Sequence, residues 1–329
     1  MTKIFSQAIL LLSLMAIPSV SLLQAAELSS HPKLEVMIDE LSREEGLDKL
    51  LLENWLRSAK FKQSIIDAIT RPAEGLPWHK YQRLFINDAT VKNGIKFMHS
   101  HAKTLKSAEL KYGVDAEVIA AIIGIETRFG TVKGNYRVLD SLYTLAVGYP
   151  RRSKFFTKEL REYLILVNEN NLDPLTTKGS YAGAIGIPQF MPSSYRHYAV
   201  DFNNDGTRNL VDDFEDAIGS VAAYLAKHKW RKGQPVSVAL EKRQGKYLDG
   251  LHTKKLKTNV EINQLAQAGL DIADHQTDWK VGVLKLAVTN GFEYHVGYHN
   301  FFVITTYNRS QLYAMAAHEL SQKIRAGLE

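Results

Sequence analysis

Residues Asp115–Gly130 read DAEVIAAIIGIETRFG, an apolar stretch that carries one carboxylate toward its end. Asp115 is placed to cap a helix, Glu117 suits its positive N-terminal end, and Gly130 can close it in a left-handed conformation. Glu126 lies seven residues after Ile119 and four after Ile122. At 3.6 residues per turn the three share one apolar face. A carboxyl drawn into such a face is expected to hold its proton more tightly, because burial disfavours the ionised form. A Glu of that kind can donate a proton near neutral pH, as cleavage of a glycosidic bond requires. The structural alternative is a solvent-facing Glu, or one paired with Arg128 or another base.

Four further stretches carry polar chemistry. Lys178–Tyr195 reads KGSYAGAIGIPQFMPSSY, a glycine-rich loop in which Ser180, Tyr181 and Gln189 offer groups suited to sugar hydroxyls and acetamido groups. Its bland alternative is a tight turn between helices. Asp201–Asp212 reads DFNNDGTRNLVD and follows the EF-hand calcium loop. Asp201, Asn203 and Asp205 take positions 1, 3 and 5, with Gly206 at position 6. Thr207 gives its carbonyl at position 7, Asn209 stands at position 9, and Asp212 replaces the usual Glu at position 12. A turn rich in Asp and Asn without metal is the alternative. Tyr307-Asn308-Arg309-Ser310 stands where a strand is expected to meet the last helix, so Asn308 and Ser310 serve either a site or a cap. Arg151 and Arg152 can grip carboxylates, although paired arginines are usually solvated surface residues.

The 329 residues contain 45% hydrophobic and 23% charged side chains and no cysteine. That excludes disordered, collagen-like and polytopic membrane chains, along with thiolate metal sites, disulfides and cysteine nucleophiles. Residues 1–26, MTKIFSQAILLLSLMAIPSVSLLQAA, have the pattern of a secretory signal peptide, with an apolar run well short of the ~20 residues of a span. The formal charge of +6 falls to +5 when Lys3 leaves with that segment. A basic secreted chain without cysteine is expected to be periplasmic, with an anionic partner and no nucleic acid.

Apolar spacing predicts helices over Leu34–Ser58, Tyr81–Ile86, Val91–Leu110, Asp213–Trp230 and Ser310–Ala326. RPAEGLPW at Arg71–Trp78 is a break. Val236–Leu240, Val281–Leu286 and Phe301–Thr306 have strand character, with a short helix over Glu261–Ala268. The fold class expected is mainly α (α+β). Its domains are a helical N-terminal region over 27–110, a core over 111–235, a small β-rich domain over 236–300, and a strand and helix over 301–329 returning to the core.

Taken in order, GIETRFG, YPRRSKFF, GSYAGAIGIPQFMPSSY, DFNNDGTRNLVDD, AIGSVAAYL and VITTYNRSQLYAMA resemble the lytic murein transglycosylase B family from about Leu34 to the C-terminus. The resemblance implies a lysozyme-like helical core and an EF-hand-like ion site. It also implies cleavage of the N-acetylmuramic acid–N-acetylglucosamine β-1,4 bond without water, leaving a 1,6-anhydro end. Glu126 matches the family's catalytic Glu. Arg151, Arg152, Ser180, Gln189, Tyr224, Tyr307 and Asn308 match its saccharide contacts, and Asp201, Asn203, Asp205, Thr207, Asn209 and Asp212 match its ion loop. No catalytic cofactor is implied, only structural calcium or sodium. The partner implied is the peptidoglycan strand, for a monomer without a transmembrane span in its mature form. The family's best-known members are lipoproteins, whereas this chain has no cysteine to carry a lipid.

A glycosidase that uses water ordinarily needs two carboxylates. The matched motifs offer one, Glu126, which suits a reaction assisted by the substrate's own 2-acetamido group. A hydrolytic muramidase and a non-catalytic peptidoglycan-binding protein are the rival readings. The first would give a reducing end, and the second has no use for a buried acid.

Overall fold

The structure, a computed structural model, describes residues 31–71, 75–240, 245–252, 254–268, 270 and 278–329. The signal-peptide segment lies outside the described residues, as do Pro72–Glu74 of the RPAEGLPW break. Compact units divide between Ser58 and Ala59, not near residue 110 as expected, because the helices over 63–112 pack into the core of the larger unit.

The first unit holds α1 (Pro32–Glu45) and α2 (Lys49–Ser58). Proline at its first turn starts α1, and Gly46 at φ 68° ends it, giving its N–H to Leu41 O. Leu34, Met37, Ile38 and Leu41 form its buried stripe.

The second unit opens with α3 (Gln63–Ile69), α4 (Trp78–Phe85), α5 (Asp88–Ser100), α6 (Ala102–Tyr112) and α7 (Ala116–Thr127). Next come β1 (Tyr136–Arg137), α8 (Val138–Gly148), α9 (Ser153–Glu169), β2 (Lys178–Gly179), α10 (Pro192–Tyr198) and α11 (Phe214–Lys227). Then follow β3 (Ser237–Leu240), α12 (Gly245–Leu251), β4 (Val260–Glu261), β5 (Lys280–Val288), β6 (Gly291–Gly297), α13 (His299–Tyr307) and α14 (Gln311–Ala326).

Helix α7 is the hub. Ten of its twelve residues are buried, which marks a helix enclosed on all sides. Helices α5, α6, α11 and α14 pack around it. The antiparallel sheet runs β3-β6-β5-β4 and has a core of its own, including Leu248, Ile262, Leu265, Val281, Val283 and Val296. The other pairing, β1 with β2, sets Tyr136 opposite Gly179 and so brings the glycine-rich loop to the start of α8.

Several local expectations change. Val91–Leu110 is two helices interrupted at His101. Phe301–Thr306, and with it the strand expected at the start of 301–329, is helical, within α13. The β-branched and aromatic residues there favour a strand, but Phe301, Val303 and Ile304 are buried in the helix, and packing overrides propensity. Asp115 precedes α7 but its side chain makes no cap bond; it lies 3.6 Å from Arg325 instead. Serine 310 does cap α14, accepting from Tyr313 N–H.

Asp140, 2% exposed in the first turn of α8, ties down the chain at 60–62. It accepts from Lys60 N–H at 2.9 Å and from Arg137 Nε at 2.9 Å, with Lys62 Nζ at 3.1 Å. One turn on, Thr144 Oγ1 accepts from Lys62 N–H at 3.0 Å. Burial pushes the Asp140 carboxyl up, but the bonds from Arg137, Lys60 and Lys62 together outweigh it, and its pKa lies below the ordinary 3.8. A depressed folded pKa means stability present above the unfolded value and lost as pH falls through the folded one. Replacing Asp140 by Asn is therefore expected to cost roughly 2–3 kcal/mol at neutral pH. The gap to wild type should narrow below about pH 4, read from urea denaturation across pH.

Candidate active site

Glu126 occupies the last turn of α7 and is half-buried. The chain leaves the helix sharply there. Arg128 and Phe129 both take left-handed conformations, at φ 49° and 58°, ahead of Gly130. The left-handed exit thus begins two residues earlier than the glycine predicted. It folds Phe129 back on its own helix, where any Cβ at Gly124 would overlap the Phe129 ring. Phe129 also meets the Phe97 ring at 5.4 Å. Thr127 fixes the exit. Its hydroxyl donates to Ile187 O at 2.8 Å and accepts from Gly130 N–H at 3.0 Å. The residue beside the carboxylate therefore binds the glycine-rich loop directly.

The Glu126 carboxyl accepts from Tyr313 Oη, 2.6 Å from its Oε1. Tyr313 stands in the first turn of α14, placed by the Ser310 cap. Its ring lies parallel to that of Tyr307, 7° apart in plane with centroids 6.4 Å apart. Tyr307 Oη donates to Pro188 O at 2.6 Å, and Tyr224 Oη donates to Thr306 O at 2.7 Å. The Tyr224 ring packs edge-on against Tyr307 at 5.0 Å and against Tyr198 at 4.7 Å. Tyr307 is half-buried. Burial first, and then the negative charge of Glu126, push the Tyr313 and Tyr307 hydroxyls well above 10. Both stay protonated donors. Burial also raises the pKa of Tyr224.

The glycine-rich loop completes one wall. A Cβ at Gly179 would overlap Ala184 O, and one at Gly186, at φ 77°, would overlap Leu210 O. Ser180 Oγ accepts from Ala184 N–H at 3.0 Å, so its hydroxyl hydrogen is what a sugar could receive. Gln189 is left-handed at φ 50°. Its amide nitrogen donates to Gly186 O at 2.8 Å and Lys133 O at 3.2 Å. Asn308 is half-buried at the end of α13. Arg151 and Arg152 are exposed in the turn ahead of α9, and the Arg152 guanidinium sits 4.2 Å from the Phe155 ring centroid. The structure thus joins Glu126, Tyr307, Tyr224 and the Pro188–Gln189 corner in one network of hydrogen bonds and rings.

In the loop Asp201–Asp212, Gly206 has the positive φ, 91°, that a sharp sixth position demands. Asp201 accepts from Asp205 and Gly206 N–H, and Asp205 accepts from Thr207 N–H and Oγ1. Asp212 pairs with Lys133 Nζ at 2.6 Å. Among the described residues no three His, Asp or Glu side chains converge as a metal cluster. The donor set of Asp201, Asn203, Asp205 and Asn209 is nonetheless all oxygen and fits a hard cation. Asp216, fully buried in α11, accepts from Phe202 N–H and Asn209 N–H, both at 2.7 Å, and so pins both limbs of the loop.

Three residues that shape this region carry no clear signal in the sequence. Tyr313 and Asp216 each lie three residues after a cap and Thr127 directly follows Glu126, positions where an aromatic, acidic or hydroxyl side chain reads as ordinary core or surface.

Known proteins of the same shape exist. A family model described as the transglycosylase SLT domain matches residues 29–322. The chain is 39% identical over 312 residues to the membrane-bound lytic murein transglycosylase B of Escherichia coli, covering 91% of this chain and 84% of that one. Its fold superposes with a TM-score of 0.83 on the soluble lytic transglycosylase SltB1 of Pseudomonas aeruginosa. Identity there is 44%, over 90% of this chain and 99% of the other. The Escherichia coli lytic transglycosylase Slt35, solved in complex with calcium, gives 0.82 at 39% identity, covering 92% and 95%.

Replacing Thr127 by Val keeps the shape and removes the hydroxyl between α7 and the glycine-rich loop. The buried Ile187 carbonyl would lose its donor, at a cost of roughly 1–3 kcal/mol in chemical denaturation.

Proposed function

The chain belongs to the transglycosylase SLT-domain family and is a lytic transglycosylase; on that premise we propose that Glu126 supplies both acid and base for cutting murein. The observation that carries this reading is a half-buried carboxyl held at 2.6 Å by a tyrosine that stays protonated. Tyr313 fixes the orientation of the carboxyl.

The reaction proceeds in two stages. Glu126 gives its proton to the glycosidic oxygen between muramic acid and glucosamine as the C1–O bond breaks. The muramic acid's 2-acetamido oxygen bonds to C1 and holds the developing positive charge. Glu126, now a carboxylate, takes the proton of the C6 hydroxyl as that oxygen attacks C1 and expels the acetamido oxygen. A 1,6-anhydro ring forms, the leaving sugar gains a hydroxyl, Glu126 is reprotonated, and no water is consumed. Tyr313 occupies one oxygen of the half-buried carboxyl and Tyr307 stacks on Tyr313, which limits the access of water and disfavours hydrolysis. Ser180 and Asn308 stand ready to orient the acetamido group. The acidic residues around the ion loop are engaged with backbone N–H groups or Lys133, which supports a single working carboxylate.

The loop Asp201–Asp212 would hold calcium through Asp201, Asn203, Asp205, the Thr207 carbonyl, Asn209 and Asp212. The ion is structural, bracing the segment on which Ile187 and Gly186 rest. Murein is a periplasmic polymer, and we assign the chain to that compartment. The sequence holds no cysteine to carry a thioether-linked lipid, and no helix among the described residues is long and apolar enough to cross a membrane.

Glu126→Gln keeps the shape and removes the titrating proton. It should lower release of anhydro muropeptides from purified sacculi at least roughly a hundredfold, by mass spectrometry, with binding retained. Wild-type rates in that variant would overturn the assignment. Calcium should raise the melting temperature of the wild type, because a ligand of the folded state alone stabilises it. Replacing Asp201 and Asp205 by Ala should abolish that response.

A further inference from the structure

Helix α5, the residues just before it and the last turn of α14 enclose a depression of about 560 Å³, whose lining includes Ile86, Val91, Ile95, Ala326, Lys92 and Lys323. The two helices meet closely beside it. A Cβ added at Gly94 would overlap the Ile324 side chain, and one at Gly327 would overlap Ile95. The apolar lining is thus held by packing, while Lys92, Lys323 and Ala326 stand exposed around it. An apolar hollow rimmed by polar groups marks an interaction surface.

The rim carries mostly one sign of charge. From Thr90 to Ala108 the chain has four lysines and no carboxylate. Lys92 and Lys96, four residues apart, share an exposed face of α5. Among the described residues Lys92, Lys96 and Lys323 have no carboxylate within ion-pair distance. Glu319, one turn before Lys323, has its carboxylate engaged by the Gln82 amide at 2.6 Å. Asp88 is the one acidic side chain lining the depression, and it stands in the first turn of α5, where the helix dipole already favours a carboxylate. Three ammonium groups without a carboxylate partner thus border an apolar hollow.

We propose that this face docks the chain on an anionic phospholipid bilayer, an acyl chain entering the depression while Lys92, Lys96 and Lys323 meet the phosphates. A lysine lays its methylene stem along apolar surface and keeps its ammonium at the level of the headgroups. Attachment to a bilayer surface grows with the apolar area buried and with attraction to anionic lipid, and this face offers both. A small water-soluble anion has no use for the apolar lining, and an uncharged apolar ligand has none for the lysines. The placement also suits the activity. Tyr313, which holds Glu126, lies in the first turn of α14. Lys323 is ten residues further on, about 15 Å along the same helix at its usual rise per residue. A chain seated by this end of α14 keeps its catalytic carboxyl clear of the bilayer. The inference goes beyond the cleavage reaction and does not depend on it.

The test is flotation with vesicles of phosphatidylethanolamine alone and of phosphatidylethanolamine mixed with phosphatidylglycerol. The chain is used without residues 1–26, so that the apolar leader cannot itself enter the bilayer. Wild type should float with the anionic vesicles, and the bound fraction should fall as salt rises. Replacing Lys92 and Lys96 together by Glu should weaken that binding at least about tenfold. Replacing Lys246 and Lys254 by Glu changes the net charge equally at exposed positions of the sheet region, and should leave binding within about twofold of wild type. Val91→Asn, at the half-buried edge of the hollow, should weaken it as well. The four lysines are exposed, so their variants should melt at the wild-type temperature. Equal loss in the two lysine pairs would show only the general attraction of a basic chain. Equal flotation with both kinds of vesicle would leave the lysines no part, and flotation with neither would leave the face no lipid. Sedimentation as a dimer that the Lys92 and Lys96 replacements dissociate would assign the face to a second copy of the chain. Each of these four outcomes overturns the proposal. Because lipid binding is read without turnover, a chain that released no anhydro ends would overturn the catalytic reading and leave this measurement standing.

Discussion

A carboxyl group sunk into the end of an enclosed helix must find a hydrogen-bond partner, and the site is organised by how this chain meets that need. Helix α7 is buried nearly all round, and Glu126 at its last turn is one of the two residues of the helix that are not fully buried, half-covered by neighbouring elements. The partner it finds is Tyr313, 187 residues further along the chain. That bond ties the first turn of α14 to the last turn of α7, two helices that also pack through their apolar faces. Tyr307 then stacks on Tyr313 and donates to Pro188, so the glycine-rich loop is referred to the same carboxyl. The two tyrosine hydroxyls are buried beside a negative charge, which holds their protons in place. The carboxyl is thus oriented by a protein donor.

Backbone proximity does as much as side-chain chemistry in building the opposite wall. Thr127 joins α7 to Ile187, Ile187 N–H joins Leu210, and Gly186 lets the two backbones meet without a side chain between them. The ion loop is part of this scaffold. Asp216 holds both of its limbs from within α11, and Lys133, whose backbone carbonyl takes the Gln189 amide, pairs with Asp212 at its end. A cation bound there would stiffen the platform on which the loop rests and need not approach the substrate. The acidic residues of that region meet backbone N–H groups or Lys133.

The sequence by itself determined the helical class, the apolar helix with its carboxylate, the glycine-rich loop and the spacing of the ion loop. These are local properties: a period of 3.6, the conformational freedom of glycine and the ligand order of a twelve-residue turn all act over a few neighbouring residues. The tertiary structure alone decided what those segments meet. It turned Phe301–Thr306 from a propensity for strand into a buried helix, because the apolar face had a core to enter. The unit boundary moved to Ser58, because the helices over 63–112 had partners further along the chain. It also took Asp115 away from its cap toward Arg325 and brought Tyr313 to Glu126. Contacts between residues far apart in the chain leave no period and no spacing to read, since each side chain at its own position is indistinguishable from ordinary core until the fold closes around it.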